Sequence, residues 1–462
     1  MQFISSPSKI IPMETLRTSS YLIPVKLESE PGKYMLIHGY TGAIDIVTES
    51  LLKKIQAVAS GVDLPEDTLQ TLIKRGYITT RSQEEEINYV NHIAKVLHHK
   101  EKLLYKYFTF IVSYNCNFRC PYCFEERKKK DGKLKIAMTK EMVDKAYQAM
   151  EKIEPQQQLH CKDIALYGGE PLLKENRDIV EYIVRKGCEK GYKFHALTNG
   201  YDLDAFVDLL SPELIYKLQI TIDGTRDFHN QKRIHYRDRG TFDRIMSNIR
   251  LALNKNVEIV VRVNTDNQNI KDFASLKRYL EECGFASSPY FKMYSAMIWN
   301  NTSISEGEQD KLDLLSSKSY LLQNKDNQTL GQCRDFGIGK KIYTALTSGK
   351  SIPFCGCSCG AQTCGYVFDS LGDIYSCWEI VGNKDYKLGS YRNETIEWNQ
   401  ERLNRWHGYN ITQNSICSKC KYALFCGGGC IIHTMQGRRD HCSYFRIMFD
   451  YAVNKAYKRN TN

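Results

Sequence analysis

Residues 108–123 read FTFIVSYNCNFRCPYC, an apolar run followed at once by three cysteines. The run Phe108–Ser113 predicts a buried strand. Cys116, Cys120 and Cys123 follow it, separated from one another by three and then two residues. Structural zinc sites usually close with four ligands in paired Cys-x-x-Cys units, so this uneven trio fits zinc poorly. Three thiolates on a four-iron cluster would leave one iron without a protein ligand, which is what chemistry at a metal requires.

Strands and helices alternate along the chain from Phe108 onward. Helices are predicted at Glu141–Ile153, after a Thr139 cap, and at Asp178–Glu189 and Phe242–Leu253. Such repeated units predict an α/β fold, a partial (β/α)6 TIM-type barrel with its active site at the carboxyl ends of the strands. The predicted strands are Phe108–Ser113, Ile164–Tyr167, Phe194–Leu197, Leu218–Ile222, Val257–Val263 and Tyr290–Tyr294.

The trio of cysteines, with an aromatic residue before the third, resembles the signature of the radical SAM superfamily. The resemblance implies one [4Fe-4S] cluster at the trio and S-adenosylmethionine (SAM) bound to it. It implies that Tyr122 lies near the adenine, and that the Gly-Gly-Glu-Pro turn Gly168–Pro171 meets the methionyl amino group. The remaining candidates for contact with SAM lie at or near the ends of later strands: Asn199, Thr221, Asp223 and Arg262. The turn itself contributes Gly168, Gly169 and Glu170.

A second group of cysteines follows in the last third of the chain, where we expect no regular helix or strand pattern after about Cys333. Its spacing resembles the SPASM extension, which implies two auxiliary [4Fe-4S] clusters and three clusters in all. Cys333, Cys355 and Cys357 match no position of that pattern and leave an additional or exchanged ligand open. Structural zinc is the competing interpretation. The implied ligands are Cys359, Cys377 and Cys430, with Cys364 as a possible fourth, for the first auxiliary cluster, and Cys417, Cys420, Cys426 and Cys442 for the second.

The first 106 residues predict a separate unit and a connecting helix. Strands at Tyr21–Leu27 and Tyr34–Ile37, two helices and a wing strand suggest a winged-helix-like domain over 15–82. It resembles the leader-recognition domain of ribosomal-peptide maturases, which holds a leader peptide by strand addition at a sheet edge. We expect a linker helix over 83–106, the barrel over 107–330 and the SPASM region over 331–462.

Composition predicts a cytoplasmic protein. The 462 residues carry a formal net charge of +11 and 17 cysteines, with no signal peptide. No apolar run approaches the roughly 18–20 residues that span a bilayer, so no membrane partner is expected. In a reducing compartment these cysteines indicate metal or cluster ligation rather than disulfides.

The resemblance implies a radical SAM oxidoreductase that modifies a precursor peptide bound through its leader. The expected product is an intramolecular thioether, C–C or C–O cross-link, and a flavodoxin- or ferredoxin-like protein would supply the electron. No catalytic base can be named.

One alternative is a sulfatase-type formylglycine-forming maturase, but that family has aspartate directly after the cysteine that here is Cys377, where this chain has Trp378. A peptide epimerase is the other. A DNA-binding redox sensor is disfavoured because the candidate recognition helix Pro65–Arg75 has only Lys74 and Arg75 as bases.

Overall fold

The structure is a computed structural model and describes residues 16–123, 125, 136–299, 313–435, 437 and 440–461. Its strands are β1 Arg17–Thr18, β2 Leu22–Lys26, β3 Lys33–His38, β4 Ile44–Thr48, β5 Ile78–Thr79, β6 Tyr107–Ser113, β7 Asp163–Gly168, β8 Lys193–Thr198, β9 Ile215–Thr221, β10 Glu258–Thr265, β11 Phe291–Met297, β12 Gly365–Phe368, β13 Asp373–Tyr375, β14 Gly389–Ser390 and β15 Glu397–Trp398. Its α-helices are α1 Glu49–Gln56, α2 Glu66–Arg75, α3 Gln83–Leu103, α4 Lys140–Ile153, α5 Arg177–Glu189, α6 Arg226–Lys232, α7 Phe242–Leu253, α8 Phe273–Glu282, α9 Ser317–Asp326, α10 Ile338–Ser348, α11 Gln400–His407, α12 Ala423–Cys426, α13 Ile431–Met435 and α14 Asp440–Thr461.

Six parallel strands, β6 to β11, lie side by side in chain order and form the predicted partial barrel. Each predicted strand is present, although β9 begins at Ile215, earlier than expected, and β10 runs on to Thr265. Thr139 accepts a hydrogen bond from Met142 N and starts helix α4 as predicted. Helices pack on the outer face of this sheet and bury its core.

Alternation along β10 separates an outer from an inner face of the barrel. Ile259, Val261 and Val263 are fully buried in the core shared with helices α7 and α8. The intervening Arg262 and Asn264 are only half-buried. Because successive strand residues point to opposite faces, these two polar side chains lie on the inner face, near the carboxyl end of the strand.

The region after Cys333 is more regular than the sequence suggested. Strand β12 pairs in parallel with β6, and β13, β14 and β15 extend the sheet antiparallel to ten strands in the described residues. Helices α10 and α14 also lie here, so the expected loss of pattern is wrong. Strand β12 has four residues, too few to show a period, and its partner β6 lies about 250 residues earlier.

The N-terminal unit contains a three-stranded antiparallel sheet, β2-β3-β4, with helices α1 and α2 against it. Both expected strands are present, and β4 is an additional one. Helix α14 covers the β2 side: Asn454 accepts from Glu28 N (2.8 Å) and donates to Lys26 O (3.1 Å). Strand β4 is therefore the outer strand left on the other side.

Helix α3 connects this unit to the barrel and is fixed at its start. Ser82 and Glu85 form a reciprocal capping box. The buried Glu86 accepts from Arg17 NH2 (2.5 Å) and Ser19 Oγ (2.5 Å) in the N-terminal unit. Among the described residues, no helix is both long and apolar enough to span a membrane.

Candidate active site and thiol clusters

The loop that carries Cys116, Cys120 and Cys123 leaves the carboxyl end of β6 and is fixed by the Gly-Gly-Glu-Pro turn. Gly169 N donates to Ser113 O (2.9 Å) and Glu170 N donates to Asn115 O (2.7 Å). A Cβ atom on Gly169 would lie 2.3 Å from Asn115 O, so only glycine permits this approach. The turn therefore positions the cysteine loop.

The Glu170 carboxylate is buried and already surrounded by donors. It accepts from Thr198 Oγ1 (2.6 Å), Asn199 N (2.5 Å) and Leu172 N (2.9 Å). Burial raises its pKa to about 7. The Asn199 side chain in turn donates to Asn117 Oδ1 (2.7 Å), within the cysteine loop. Glu170 and Asn199 thus join the ends of β7 and β8 to that loop, while their contact with SAM stays a prediction.

Tyr122 ends in a network of buried polar groups. Its hydroxyl contacts the Asp223 carboxylate and accepts from Arg233 NH1 (2.9 Å) and Asn264 Nδ2 (3.3 Å). Burial alone would lower the pKa of Arg233, but the charges of Cys120, Tyr122 and Asp223 raise it well above its usual value. Arg233 Nε is buried and makes no hydrogen bond to any residue in the described ranges.

Arg262 and Thr221 lie side by side on the barrel rim. Their Cα atoms are partners in the parallel pairing of β9 and β10. Arg262 Nε donates to Asn264 Oδ1 (2.8 Å), which links it to the Tyr122 network. The structure thus brings Tyr122, Asp223 and Arg262 together, and their contact with SAM stays a prediction.

The residues around the cysteine loop fit an iron–sulfur cluster. All three thiols are half-buried, and Phe118 N donates to Cys116 Sγ (3.3 Å). Arg233 lies near Cys120 and supplies a buried positive charge. Thiolates are the usual ligands of such clusters, and a nearby cation and amide donors stabilise their negative charge. With a [4Fe-4S] cluster and SAM bound, Cys116, Cys120 and Cys123 would be the protein ligands.

Cys359, Cys377 and Cys430 form a second group of thiols. Burial, followed by the charges of Glu379, Cys359 and Cys430, raises the pKa of Cys377. Burial and then the charges of Glu379 and Cys359 raise the pKa of Cys430 to about 11. The predicted first auxiliary set is therefore brought together, with Cys364 nearest to its Cys359 member. Sequence reasoning gave Glu379 no role, although its position two residues after Cys377 was a usable signal.

The third group surrounds Cys426. Burial and the charges of Cys355, Cys417, Cys442 and Cys420 raise the pKa of the Cys426 thiol. The structure thus gathers the predicted second auxiliary set and adds Cys355, whose thiol donates to Leu424 O (3.3 Å) and Phe425 O (3.4 Å). Sequence spacing gave no signal for Cys355, because it lies more than 60 residues before the other four.

The thiols of the two other unassigned cysteines contact residues outside the Cys426 group. Cys333 is buried in an apolar cluster and contacts Tyr320 Oη (3.4 Å). Cys357 donates to Glu101 Oε2 (2.8 Å) of helix α3, and burial with that carboxylate raises its pKa.

Three consecutive glycines separate Cys426 from Cys430. Gly427, Gly428 and Gly429 have φ angles of 68°, 87° and 71°. Left-handed backbone in three successive residues is accessible to glycine and strained for other residues. The run therefore makes the sharp turn that sends Cys426 to one thiol group and Cys430 to the other.

An aromatic pair lies between the first two thiol groups. Tyr167 on β7 and Trp378 have ring centroids 5.4 Å apart, and Trp378 is 39% exposed. Burial is the main cause that raises the pKa of Tyr167, and the charges of Cys123 and Glu379 also contribute.

Solved structures with similar folds include two classes of enzyme. Native anSMEcpe with bound AdoMet and Cp18Cys peptide is 20% identical and has a TM-score of 0.57, covering 78% of this chain and 99% of that chain. Streptococcus suis SuiB bound to precursor peptide SuiA is 14% identical with a TM-score of 0.50, covering 92% of this chain and 98% of that chain. At these identities, the likenesses show the fold.

Sequence comparison gives a relative and a family. A cysteine-type anaerobic sulfatase-maturating enzyme of Clostridium novyi (strain NT) is 21% identical over 374 residues, 74% of this chain and 94% of the relative. The family model described as Radical SAM superfamily matches residues 110–280. Such a domain implies SAM and one [4Fe-4S] cluster, for which Cys116, Cys120 and Cys123 provide the ligands expected. From the strand that leads into those cysteines to the last helix of the matched range, this chain carries a radical SAM domain.

Proposed function

We propose that this chain is a radical SAM maturase that removes a hydrogen atom from a ribosomally synthesised precursor peptide and closes an intramolecular thioether, C–C or C–O cross-link. The observation that carries the proposal is the N-terminal sheet with its outer strand β4, joined to a radical SAM barrel. The likeness to SuiB with its precursor peptide extends over 92% of this chain, against 78% for anSMEcpe.

Strand β4 has the backbone geometry to receive a leader peptide. His38 N donates to Ala43 O (3.0 Å) and Glu49 N donates to Gly32 O (2.8 Å), so odd-numbered residues of this strand face β3. Both backbone groups of Ile46 and the N–H group of Thr48 therefore point outward, while the Thr48 C=O belongs to the first turn of helix α1. An extended peptide that pairs with these groups would add a strand to the sheet.

The rest of the chain supplies binding, orientation and protection from water. SAM on its cluster supplies a hydrogen-abstracting radical after one-electron reduction. Glu170, Asn199 and the Gly169 turn hold the cysteine loop, while Arg262 and Asn264 present polar groups on the inner face. We propose that the Cys359 and Cys426 groups hold two auxiliary [4Fe-4S] clusters, and that a flavodoxin- or ferredoxin-like donor supplies the electron.

Formylglycine formation is the second candidate, favoured by the likeness to sulfatase-maturating enzymes. Against it, Trp378 occupies the position directly after Cys377, and its indole is not a proton acceptor. Epimerisation is a third outcome that the assay below separates.

The test is anaerobic incubation of the full chain with SAM, a reductant and a precursor peptide encoded beside its gene. Tandem mass spectrometry is expected to show loss of two hydrogens, localised to a ring. An unchanged mass with inverted α-carbons would indicate epimerisation, and formylglycine at a single cysteine or serine would indicate the sulfatase-type reaction. Either result would overturn cross-linking.

Leader binding has its own matched pair of variants. Ile46→Pro removes an outward N–H, and Ile46→Ala keeps it; the side chain is 42% exposed in the parent chain. Proline is tolerated on an edge strand whose N–H faces outward. We expect fluorescence anisotropy to show weaker leader binding for Ile46→Pro only. Equal affinity of the two variants would contradict strand addition at β4.

A further inference from the structure

The thiol group of Cys359, Cys377 and Cys430 contains a carboxylate. Glu379 lies in the 3-10 turn Trp378–Ile380, which follows Cys377 directly. A carboxylate oxygen of Glu379, the Cys430 thiol and a ring nitrogen of His433 all lie within 4.8 Å of one another. The turn also aims the Glu379 backbone N–H at the Cys377 thiol. Glu379 is thus folded back onto the cysteines beside it.

Glu379 acts on every thiol of the group. After burial, it is the strongest charge that raises the pKa of Cys377 and of Cys430. It also contributes to the raised pKa of Cys359, where burial is again the main cause. One carboxylate therefore lies beside Cys430 and within electrostatic range of Cys377 and Cys359.

The Cys364 thiol has neighbours other than Glu379. Its thiol contacts Thr363 Oγ1 (3.2 Å), and the charges that act on it most strongly are those of Lys106 and Glu101. It is 4% exposed and directly precedes β12, and its carbonyl accepts from Tyr107 N (3.0 Å). A move toward Cys430 would disturb the pairing of β12 with β6.

We propose that Glu379, rather than Cys364, is the fourth ligand of the iron–sulfur cluster held by Cys359, Cys377 and Cys430. The inference rests on the auxiliary cluster of the proposed function and names one ligand of it. Three thiolates and one carboxylate complete the four ligands that a four-iron cluster needs. An oxygen ligand binds iron less tightly than a thiolate does in such a set. The iron at Glu379 is then the one lost first on oxidation.

The position of Glu379 indicates where the iron that it binds would lie relative to the barrel. The charge of Glu379 also contributes to the raised pKa of Tyr167, which lies on β7 beside Trp378. The carboxylate therefore lies within electrostatic range of a residue on strand β7. A donor atom of the peptide that replaced Glu379 would bind iron close to that strand.

The test uses a full-length background with Cys116→Ala, Cys120→Ala and Cys123→Ala, in which only auxiliary iron remains. Glu379→Gln, Cys364→Ala and His433→Ala are compared in it, with Cys359→Ala as a control that removes one of the three proposed thiolate ligands. Iron and sulfide are measured after anaerobic reconstitution, and electron paramagnetic resonance is recorded after mild oxidation. Glu379→Gln is expected to lose one iron and give a three-iron signal, while Cys364→Ala keeps the parent spectrum.

Glu379→Cys keeps the test decisive if the glutamine variant folds poorly. A thiolate in place of the carboxylate is expected to retain all four irons and to resist the oxidation that affects the parent. A three-iron signal from Cys364→Ala or from His433→Ala, with the spectrum of Glu379→Gln unchanged, would overturn Glu379 as the fourth ligand. That result would leave the auxiliary clusters of the proposed function in place. A background without auxiliary iron would overturn the clusters of the proposed function, and the Glu379 ligand with them.

Discussion

At the barrel rim, Cys116, Cys120 and Cys123 follow a strand that is paired on both sides, whereas the thiols from Cys355 to Cys430 lie on turns and short helices. Strand β6 pairs with β7 and β12, so the start of the cysteine loop is fixed by two ladders. Around Cys426 the backbone instead turns through three left-handed glycines. The rim holds its thiols through regular pairing and a charged network, and the second region through local turns.

This difference determines how each region responds to change. A rim substitution is transmitted through shared hydrogen bonds, since Glu170, Asn199 and Asn117 connect three segments. In the cysteine-rich region five thiols surround one site, so a single thiol there can be redundant. The following predictions address this contrast.

Gly169→Ala is expected to give the largest effect. The new Cβ would lie 2.3 Å from Asn115 O and 2.5 Å from Tyr114 O, so the cysteine loop must move. We expect loss of the iron bound at the rim and loss of SAM cleavage, measured as iron per chain and deoxyadenosine formed. Gly240→Ala is the control, because its backbone is not left-handed and the nearest atom to its Cβ position is Asn230 Nδ2 at 3.6 Å, an ordinary van der Waals contact. Rim iron and cleavage at the parent level in Gly169→Ala would contradict this prediction.

Asp223→Asn is expected to destabilise the chain by about 3–5 kcal/mol, because it removes a negative charge that faces the buried Arg233 across the Tyr122 hydroxyl. Denaturant unfolding of parent and variant measures the difference. The exposed pair of Arg226 with Asp243 (2.7 Å) offers a control in Asp243→Asn, for which we expect less than about 1 kcal/mol. Equal losses in the two variants would show that the rim network is no stronger than a surface pair.

Glu170 predicts a pH dependence of stability. Burial raises its folded pKa from 4.5 to about 7, so the folded state holds the proton more tightly than the unfolded state does. The resulting stability is complete below the unfolded pKa and is lost as pH rises through about 7. The size is about 3 kcal/mol at most. Denaturation at several pH values is expected to show this fall for the parent and not for Glu170→Gln; parallel profiles would contradict it.

Cys355→Ala is expected to give the smallest effect. Its thiol donates to two carbonyls, worth about 1 kcal/mol, and four other thiols remain around the site. Iron content is expected to stay at the parent level, whereas Cys426→Ala, the matched loss of a thiol, should reduce it. A fall in iron content for Cys355→Ala would show that Cys355 is a ligand. It would contradict the view that a single thiol in this region is redundant.

The sequence predicted the barrel well because its strands are long enough to show a pattern and the cysteine trio is local. Strand β4 and strand β12 were missed: the first stands directly before a helix, and the second depends on pairing with distant β6. Helix α14 carried a readable signal, since Phe445, Phe449 and Val453 recur at helical spacing and are buried. Spacing grouped the cysteines of the two auxiliary sets, whose role as cluster ligands stays a prediction. Glu379 had a local signal in its position two residues after Cys377, whereas the position of Cys355 beside the second set follows from tertiary folding.

Helix α14 has a consequence for the order in which the chain folds during synthesis. It carries Cys442 near its start and, further along, Asn454, which bonds to Lys26 and Glu28 more than 400 residues earlier in the chain. On the ribosome, β2 therefore emerges long before the helix that covers it. The N-terminal sheet has two uncovered sides until synthesis reaches this helix, and the same segment brings the last thiol of the Cys426 group. The N-terminal unit and the Cys426 thiol group can therefore both be completed only after helix α14 has been synthesised.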